Sequence, residues 1–150
     1  MVKVTLKDGS VMEFNEGITA MEVAEKISIG LARAALACEV DGVVRDLSYA
    51  LKNDCKLNIF TFEDEGGREA YWHTTSHVMA QAVKRLYPSV KLAIGPAIDT
   101  GFYYDFDSEK PFSVEDIGKI EEEMSRIIKE DYTVERFVLS REEAIKFMEE

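Results

Sequence analysis

The chain has 150 residues, of which 46% are hydrophobic and 31% are charged. This balance excludes a disordered tail and indicates one ordinary domain or two small ones. The formal net charge of −11 excludes a general nucleic-acid coat, because an acidic chain repels phosphate at long range.

The pattern of apolar residues excludes two further classes of protein. No apolar run approaches the ~20 residues that are needed to span a bilayer, and the N-terminus lacks the apolar block of a signal peptide. Cys38 and Cys55 are isolated thiols, which fits a reducing compartment and predicts two small buried side chains. We therefore expect a cytoplasmic protein with no membrane contact.

The first part of the chain carries signals for several strands and one helix. Five segments show the alternation or the apolar run that is typical of strands: residues 2–6, 11–14, 36–40, 43–45 and 56–62. Thr19 and Glu22 have the spacing of a capping box, in which each side chain bonds the other residue's backbone N–H. They predict a helix that begins after Thr19 and ends at Gly30.

The order of these elements favours a β-grasp, or ubiquitin-like, fold. One helix that crosses a small mixed sheet buries the apolar faces of both. The acidic, glycine-containing stretch 63–67 predicts a flexible boundary after this unit. The predicted fold class is therefore α+β, with a β-grasp domain at residues 1–62 and a partial second α+β domain at residues 63–150.

Five elements are predicted in the second domain. They are a helix at 69–87, strands at 92–98 and 101–106, and helices that begin after Ser113 and Ser140. Pro96 predicts an edge position or a bulge in the first of these strands. The last helix has an apolar face with no following partner, which favours a domain cut at residue 150 and a second domain that is looser than the first.

Both histidines of the chain, His73 and His77, lie one helical turn apart and share a helix face. We expect this face to border a cavity. A zinc protease would need a glutamate after the first histidine, and Thr74 occupies that position. A zinc site would need at least one more ligand, whereas a hydrolytic site that positions water needs groups that are basic near neutral pH. Two packing histidines remain the structural alternative.

A glycine- and aromatic-rich hairpin follows at residues 93–105. Gly95 and Gly101 permit close backbone approach or positive φ. Tyr103 and Tyr104 are expected to face opposite sides of the strand, so that one packs and the other offers a hydroxyl to a pocket. The alternative is a hairpin that only holds the core together.

Lys84, Arg85 and Lys91 form the one small basic cluster of the second domain. In an acidic chain, an RNA contact has to be local, and this cluster is the candidate for it. The alternative is an ordinary solvated face.

Taken together, these segments resemble a known family. Residues 1–62 resemble the TGS domain, which occurs in threonyl-tRNA synthetases, certain GTPases and stringent-response nucleotide synthetases. The histidine pair, followed by Ala93-Ile94-Gly95-Pro96 and by the Gly-Phe-Tyr-Tyr-Asp motif at 101–105, resembles the start of the editing domain of threonyl-tRNA synthetases. In that family the editing site joins this first half to a later Cys-x-x-x-His segment, which residues 78–150 do not contain.

The resemblance implies a set of roles. His73 and His77 would be catalytic, Gly95 and Tyr104 would line the substrate pocket, and no metal would be held. The function implied is contact with the acceptor arm of tRNA(Thr) and hydrolytic proofreading of seryl-tRNA(Thr) in a threonine–tRNA ligase, with this fragment inactive by itself. The chain would use no cofactor, whereas the parent would use ATP, Mg and a core zinc and would form a homodimer through its core.

Two alternatives remain open at the level of sequence. One is a regulatory or interaction module that carries a TGS domain, as in the GTPase and nucleotide-synthetase families. The other is a freestanding hydrolase of mischarged tRNA related to alanyl editing domains, whose equivalent ligand set holds zinc.

Overall fold

The computed structural model describes residues 1–149. The first unit contains, in chain order, β1 (Val2–Leu6), β2 (Val11–Phe14), β3 (Ile18–Thr19), α1 (Ala20–Ile27), α2 (Ile29–Ala34), β4 (Ala37–Val40), β5 (Val43–Arg45), β6 (Ala50–Leu51) and β7 (Cys55–Phe60). The second contains α3 (Glu65–Leu86), β8 (Lys91–Leu92), β9 (Ala97–Ile98), β10 (Gly101–Phe102), β11 (Phe106–Asp107), α4 (Val114–Glu130) and α5 (Arg141–Glu149).

A five-stranded mixed sheet of order β2-β1-β7-β4-β5 forms the first unit. Its central pair, β1 and β7, is parallel, and the other pairs are antiparallel. The buried core combines sheet residues with one face of α1: Val2, Val4, Ala20, Val23, Cys38, Val40, Leu51 and Leu57. This arrangement confirms the predicted β-grasp fold. Cys38 is fully buried as expected, and burial raises the pKa of its thiol to about 11, whereas Cys55 is half-buried.

The helix of this unit begins as predicted but ends earlier. The Thr19 hydroxyl accepts a hydrogen bond from the Glu22 N–H, and the Glu22 carboxylate accepts one from the Thr19 N–H, so the capping box is confirmed. The prediction that Gly30 ends the helix is wrong. Ser28 is extended and ends α1, and its side chain then caps α2, which contains Gly30. The chain leaves the first helix at Ser28 rather than at Gly30, because serine is strongly preferred at the N-cap position of a new helix.

The predicted flexible linker at 63–67 is also wrong, because α3 already begins at Glu65. Its two glycines pack against the end of β7. A Cβ on Gly66 would lie 2.7 Å from the Phe60 ring, and a Cβ on Gly67 would overlap the Thr61 carbonyl oxygen. These glycines therefore serve close packing of helix against strand rather than flexibility.

The second unit consists of a hairpin and α4, both of which pack on α3. The predicted strands 92–98 and 101–106 are each interrupted in the middle, so that four short strands pair as β8 with β11 and β9 with β10. Residues 93–96 oppose residues 103–105, which places one extra residue on the first strand. Of the two alternatives that Pro96 predicted, an edge position or a bulge, a bulge is therefore present. The core of this unit contains Ala82, Val83, Val90, Ile120 and Ile127.

The segment after α4 lies outside both cores. Ser140 and Glu143 form the predicted capping box at the start of α5, but α5 has no buried residue. Several large apolar side chains here are exposed: Val134, Phe137, Val138, Ile145, Phe147 and Met148. Within residues 1–149, no helix is long and apolar enough to cross a membrane.

Candidate functional site

The two histidines form an exposed pair on α3. Residues one turn apart share a helix face, and the ring centroids of His73 and His77 are 4.7 Å apart, with their planes tilted by 55°. Both side chains are exposed to solvent. Two imidazoles at this separation can contact the same small group, such as an ester and the water that attacks it.

A cleft of about 370 Å³ lies between the first turns of α3 and the tip of the hairpin. It is lined by Glu65, Arg68, Glu69, Trp72, Ala97, Ile98 and Asp99. Neither histidine is among its lining residues, so this cleft does not meet the expectation that they border a cavity. Trp72 turns toward the hairpin tip, whereas His73, about 100° further round the helix, turns toward solvent.

Ser76 connects the histidine helix to the hairpin. Its side chain is 0% exposed, although it lies between two exposed histidines in the sequence. Its Oγ lies 2.7 Å from the His73 carbonyl oxygen and 2.8 Å from the Gly95 carbonyl oxygen. The second contact spans 19 residues of sequence and fixes the bulge of the hairpin to the turn of α3 that carries the histidines.

Gly95 and Tyr104, the two predicted pocket residues, are in direct contact. A Cβ on Gly95 would overlap the Tyr104 ring, so only glycine allows the ring to lie where it does. The same ring stacks on Phe106 at a centroid distance of 4.9 Å. Tyr103 is exposed on the other side of the strand, as the alternation predicted.

The basic cluster is engaged in contacts within the chain. The Lys84 ammonium donates hydrogen bonds to the carbonyl oxygens of Pro88 and Val90, 2.7 and 3.0 Å away. These hydrogen bonds stabilise the loop that follows α3. The Lys91 side chain is highly exposed, and its Nζ lies 4.0 Å from the Asp107 carboxylate on the paired strand. A pair this exposed contributes little to stability, so the Lys91 ammonium remains accessible to a ligand.

Arg85 joins α3 to α4. Its guanidinium donates to the Glu130 carboxylate at 2.8 and 3.0 Å and to Glu123 at 3.1 Å. These hydrogen bonds raise the pKa of Arg85 above its ordinary value and lower the pKa of Glu130. The positive charge of Arg85 is thus matched by two carboxylates, which leaves less of it to attract phosphate than the sequence alone indicated.

Within residues 1–149, no three His, Cys, Asp or Glu side chains lie close enough together to hold a metal ion. His73 and His77 supply two nitrogen donors, and a zinc site needs at least three protein ligands.

Ser76 is the site residue that sequence reasoning missed. The sequence signal for its burial is helical spacing. Ala80 and Val83 follow Ser76 by four and seven residues, and both are buried on α3. A serine on the apolar stripe of a helix needs a hydrogen-bond partner when it is buried. That requirement predicts a partner across the interface but does not identify it as Gly95.

Comparison with known proteins assigns both parts of the chain. Residues 2–61 match the family model of the TGS domain. The chain is 76% identical over 150 residues to a threonine–tRNA ligase of Acetivibrio thermocellus, an alignment that covers 100% of this chain and 24% of the relative. It is 60% identical over 147 residues to that of Caldanaerobacter subterraneus subsp. tengcongensis, covering 98% and 23%, and 59% identical over 150 residues to that of Clostridium botulinum, covering 100% and 24%.

These matches extend from the TGS domain through the histidine helix, the hairpin and α5. The chain spans about a quarter of the length of the curated relatives that it matches. Residues 2–61 are therefore a TGS domain, and the chain as a whole matches the N-terminal region of threonine–tRNA ligases.

Proposed function

We propose that this chain is the part of a threonine–tRNA ligase that contacts the acceptor arm of tRNA(Thr) and supplies half of a hydrolytic site for seryl-tRNA(Thr). The observation that carries the proposal is the His73–His77 pair, 4.7 Å apart and exposed, on a helix that Ser76 ties to the Gly95 bulge. The names of the relatives support the ligase as the parent. Their length, about four times that of this chain, disfavours a freestanding hydrolase.

The chemistry of the substrate explains why a ligase for threonine needs such a site. Serine has the same hydroxyl as threonine and lacks one methyl group. A missing methyl gives only about 1–3 kcal/mol of discrimination in binding, or roughly 10–200-fold. Seryl-tRNA(Thr) is therefore formed and has to be hydrolysed at a second site.

In this proposal the histidines orient the seryl ester and the attacking water. A neutral imidazole accepts a proton near neutral pH, and its other nitrogen donates a hydrogen bond. Gly95 and Tyr104 do not line the cleft beside Trp72, and they are assigned to the wall of a substrate pocket that the rest of the longer protein completes. Two imidazoles do not by themselves enclose a substrate, so the 150-residue chain is expected to be inactive until further groups of the longer protein complete the site.

The remaining roles are assigned by the same proposal. Lys91 is the most accessible member of the basic cluster for an RNA phosphate. Lys84 stabilises the loop between α3 and Lys91, and Arg85 joins α3 to α4. The ligation chemistry, with its ATP, Mg and zinc, and the homodimer contact are assigned to the rest of the parent protein, in the cytoplasm. The described residues do not provide a ligand set for that zinc.

The experiment that tests this proposal is mischarging by the full-length parent. With serine and tRNA(Thr) supplied, the wild-type parent should accumulate little seryl-tRNA(Thr), whereas His73→Ala and His77→Ala parents should accumulate it. Charging with threonine should stay within about twofold in all three, because the site of ligation is separate. Equal mischarging by variants and wild type would contradict the assignment of the histidines.

A further inference from the structure

Ser76 is one of two buried polar or charged side chains among residues 1–149, the other being Glu123. The Glu123 carboxylate forms ion pairs with Arg85 on α3 and with Arg126 on α4. Ser76 instead meets only carbonyl oxygens, those of His73 and Gly95. A hydroxyl has a single proton to donate, so the two carbonyls compete for it or share it.

The two acceptors are not equivalent. The His73 carbonyl belongs to the helix, where a carbonyl already accepts the N–H four residues later. The Gly95 carbonyl lies in the bulge, outside the paired strands β8 to β11, and Ser76 is its donor among the described residues. The bond to Gly95 therefore adds a contact between elements, whereas the bond to His73 adds a second contact within one helix.

The neighbouring Thr75 shows what a purely local hydroxyl does on the same helix. Its Oγ1 donates to the Tyr71 carbonyl oxygen, 2.7 Å away and one turn earlier, and reaches no other element. This is the ordinary back-bond of a serine or threonine in a helix. Ser76 makes such a back-bond and, in addition, reaches the hairpin.

Gly95 and the Tyr104 ring are packed so closely that a shift of one would require a shift of the other. The Tyr104 ring lies directly on the Gly95 backbone, with no Cβ between them. The position of the bulge therefore sets the position of the ring, and the Ser76 hydroxyl sets the position of the bulge relative to His73 and His77. A misplacement of about 1 Å can lower a reaction rate by up to roughly 10²-fold.

We propose that Ser76 is a positioning residue for hydrolysis: its buried hydroxyl holds the Gly95 carbonyl, and with it the Tyr104 ring, in register with the helical turn that carries His73 and His77. This inference rests on the function proposed above.

The test compares Ser76→Ala with Thr75→Ala in the full-length parent. Each variant loses a hydroxyl from the same turn of α3, but only Ser76→Ala loses a bond to the hairpin. We expect kcat for hydrolysis of seryl-tRNA(Thr) to fall about tenfold in Ser76→Ala, with KM changed less than about twofold. Thr75→Ala should leave both within about twofold. Ser76→Cys, which fills the same place and retains a weak donor, should recover part of kcat.

The outcomes separate this inference from the proposed function. If His73→Ala abolishes hydrolysis but Ser76→Ala and Thr75→Ala behave alike, the positioning role is wrong and the function stands. If His73→Ala hydrolyses seryl-tRNA(Thr) at the wild-type rate, the proposed function itself fails. Thermal unfolding of each parent is measured alongside. If Ser76→Cys melts with the wild type yet hydrolyses no faster than Ser76→Ala, the hydrogen bond is not what matters and the inference is overturned.

Discussion

Single residues at the junction of the two units decide how closely they pack. Gly67 lies at the third position of α3, and the Thr61 carbonyl oxygen occupies the space where a Cβ would be. Asp64, just before the helix, accepts hydrogen bonds from the backbone N–H of Thr61 and from the Lys7 ammonium. The end of β7 and the start of α3 are thus one compact corner.

Gly67→Ala should destabilise the protein by about 1–3 kcal/mol, because the new methyl group overlaps a backbone oxygen that cannot move freely. Gly118→Ala is the matched control, since a Cβ there meets no atom within 4 Å. In an exposed helix interior, this change should stabilise by about 0.5–1 kcal/mol. Chemical denaturation of the two variants measures both effects, and equal stabilities would contradict the packing described for Gly67.

The same residues show what a sequence can and cannot specify. Adjacent glycines after acidic residues are typical of a linker, and nothing in their identity distinguishes a flexible glycine from one that allows close contact. The capping residues Thr19, Ser113 and Ser140 were predicted correctly, since a cap depends on residues three positions away in the chain. Gly95 was predicted as a residue of close approach, but its partners Ser76 and Tyr104 depend on the tertiary fold.

At the scale of elements, the start of α4 is anchored to the end of α3. Asp116 closes a capping box with Ser113, and the Tyr87 hydroxyl donates to its carboxylate at 2.7 Å. The hydrogen bond from Tyr87 has the largest effect on the pKa of Asp116, and those from the Ser113 side chain and backbone add to it. Together they lower the pKa of Asp116 from 3.8 to about 2. The junction of the two helices therefore favours the ionised carboxylate.

This shift predicts the direction of a pH effect. A group whose pKa is lower in the folded state stabilises it above the unfolded value, and the stabilisation is lost as the pH falls through the folded value. At pH 5 the melting temperature of the wild-type protein should therefore exceed that of its Tyr87→Phe variant. The difference between the two melting temperatures should shrink between pH 4 and 2. Circular dichroism melts across this range measure it, with Asp116→Asn as a control without the titrating group. A difference that stays constant down to pH 2 would contradict the assignment.

The short helix α2 and the two-residue strands β3 and β6 are the elements that the sequence did not predict. β3 and β6 pair with each other beside the main sheet, and each is too short to show an alternating pattern. The hairpin of the second unit was predicted as two continuous strands, because its apolar and aromatic residues continue through the bulge. Pro96 predicts an edge position or a bulge in the first strand, but only the pairing shows that residues 93–96 oppose residues 103–105.

At the scale of the whole molecule, the chain contains two cores and a segment that belongs to neither. The first core is enclosed by the β-grasp sheet and α1, and the second lies between α3, α4 and the residues around Val90 and Phe106. Residues 131–149 contribute to neither core, and α5 buries no side chain. A nine-residue helix that packs on neither core is marginal in water.

Amide hydrogen exchange of the 150-residue chain should follow this division. Residues 1–62 should be better protected than residues 63–150 on average, with the fastest exchange in 131–149, because local opening costs least where few apolar contacts are lost. Mass spectrometry of proteolytic peptides resolves these regions. Protection of α5 equal to that of α4 would show that the last segment is packed after all.

The central claim is that His73 and His77 act in hydrolysis of seryl-tRNA(Thr), and single-turnover deacylation tests it most directly. Pre-formed seryl-tRNA(Thr) is mixed with an excess of the full-length parent, of its His73→Ala variant or of the 150-residue chain, with threonyl-tRNA(Thr) as the control substrate. We expect rapid hydrolysis of the seryl ester by the parent, a loss of about 10²-fold or more in the variant, no hydrolysis by the chain alone, and little hydrolysis of the threonyl ester. Undiminished hydrolysis by the His73→Ala variant would contradict the claim.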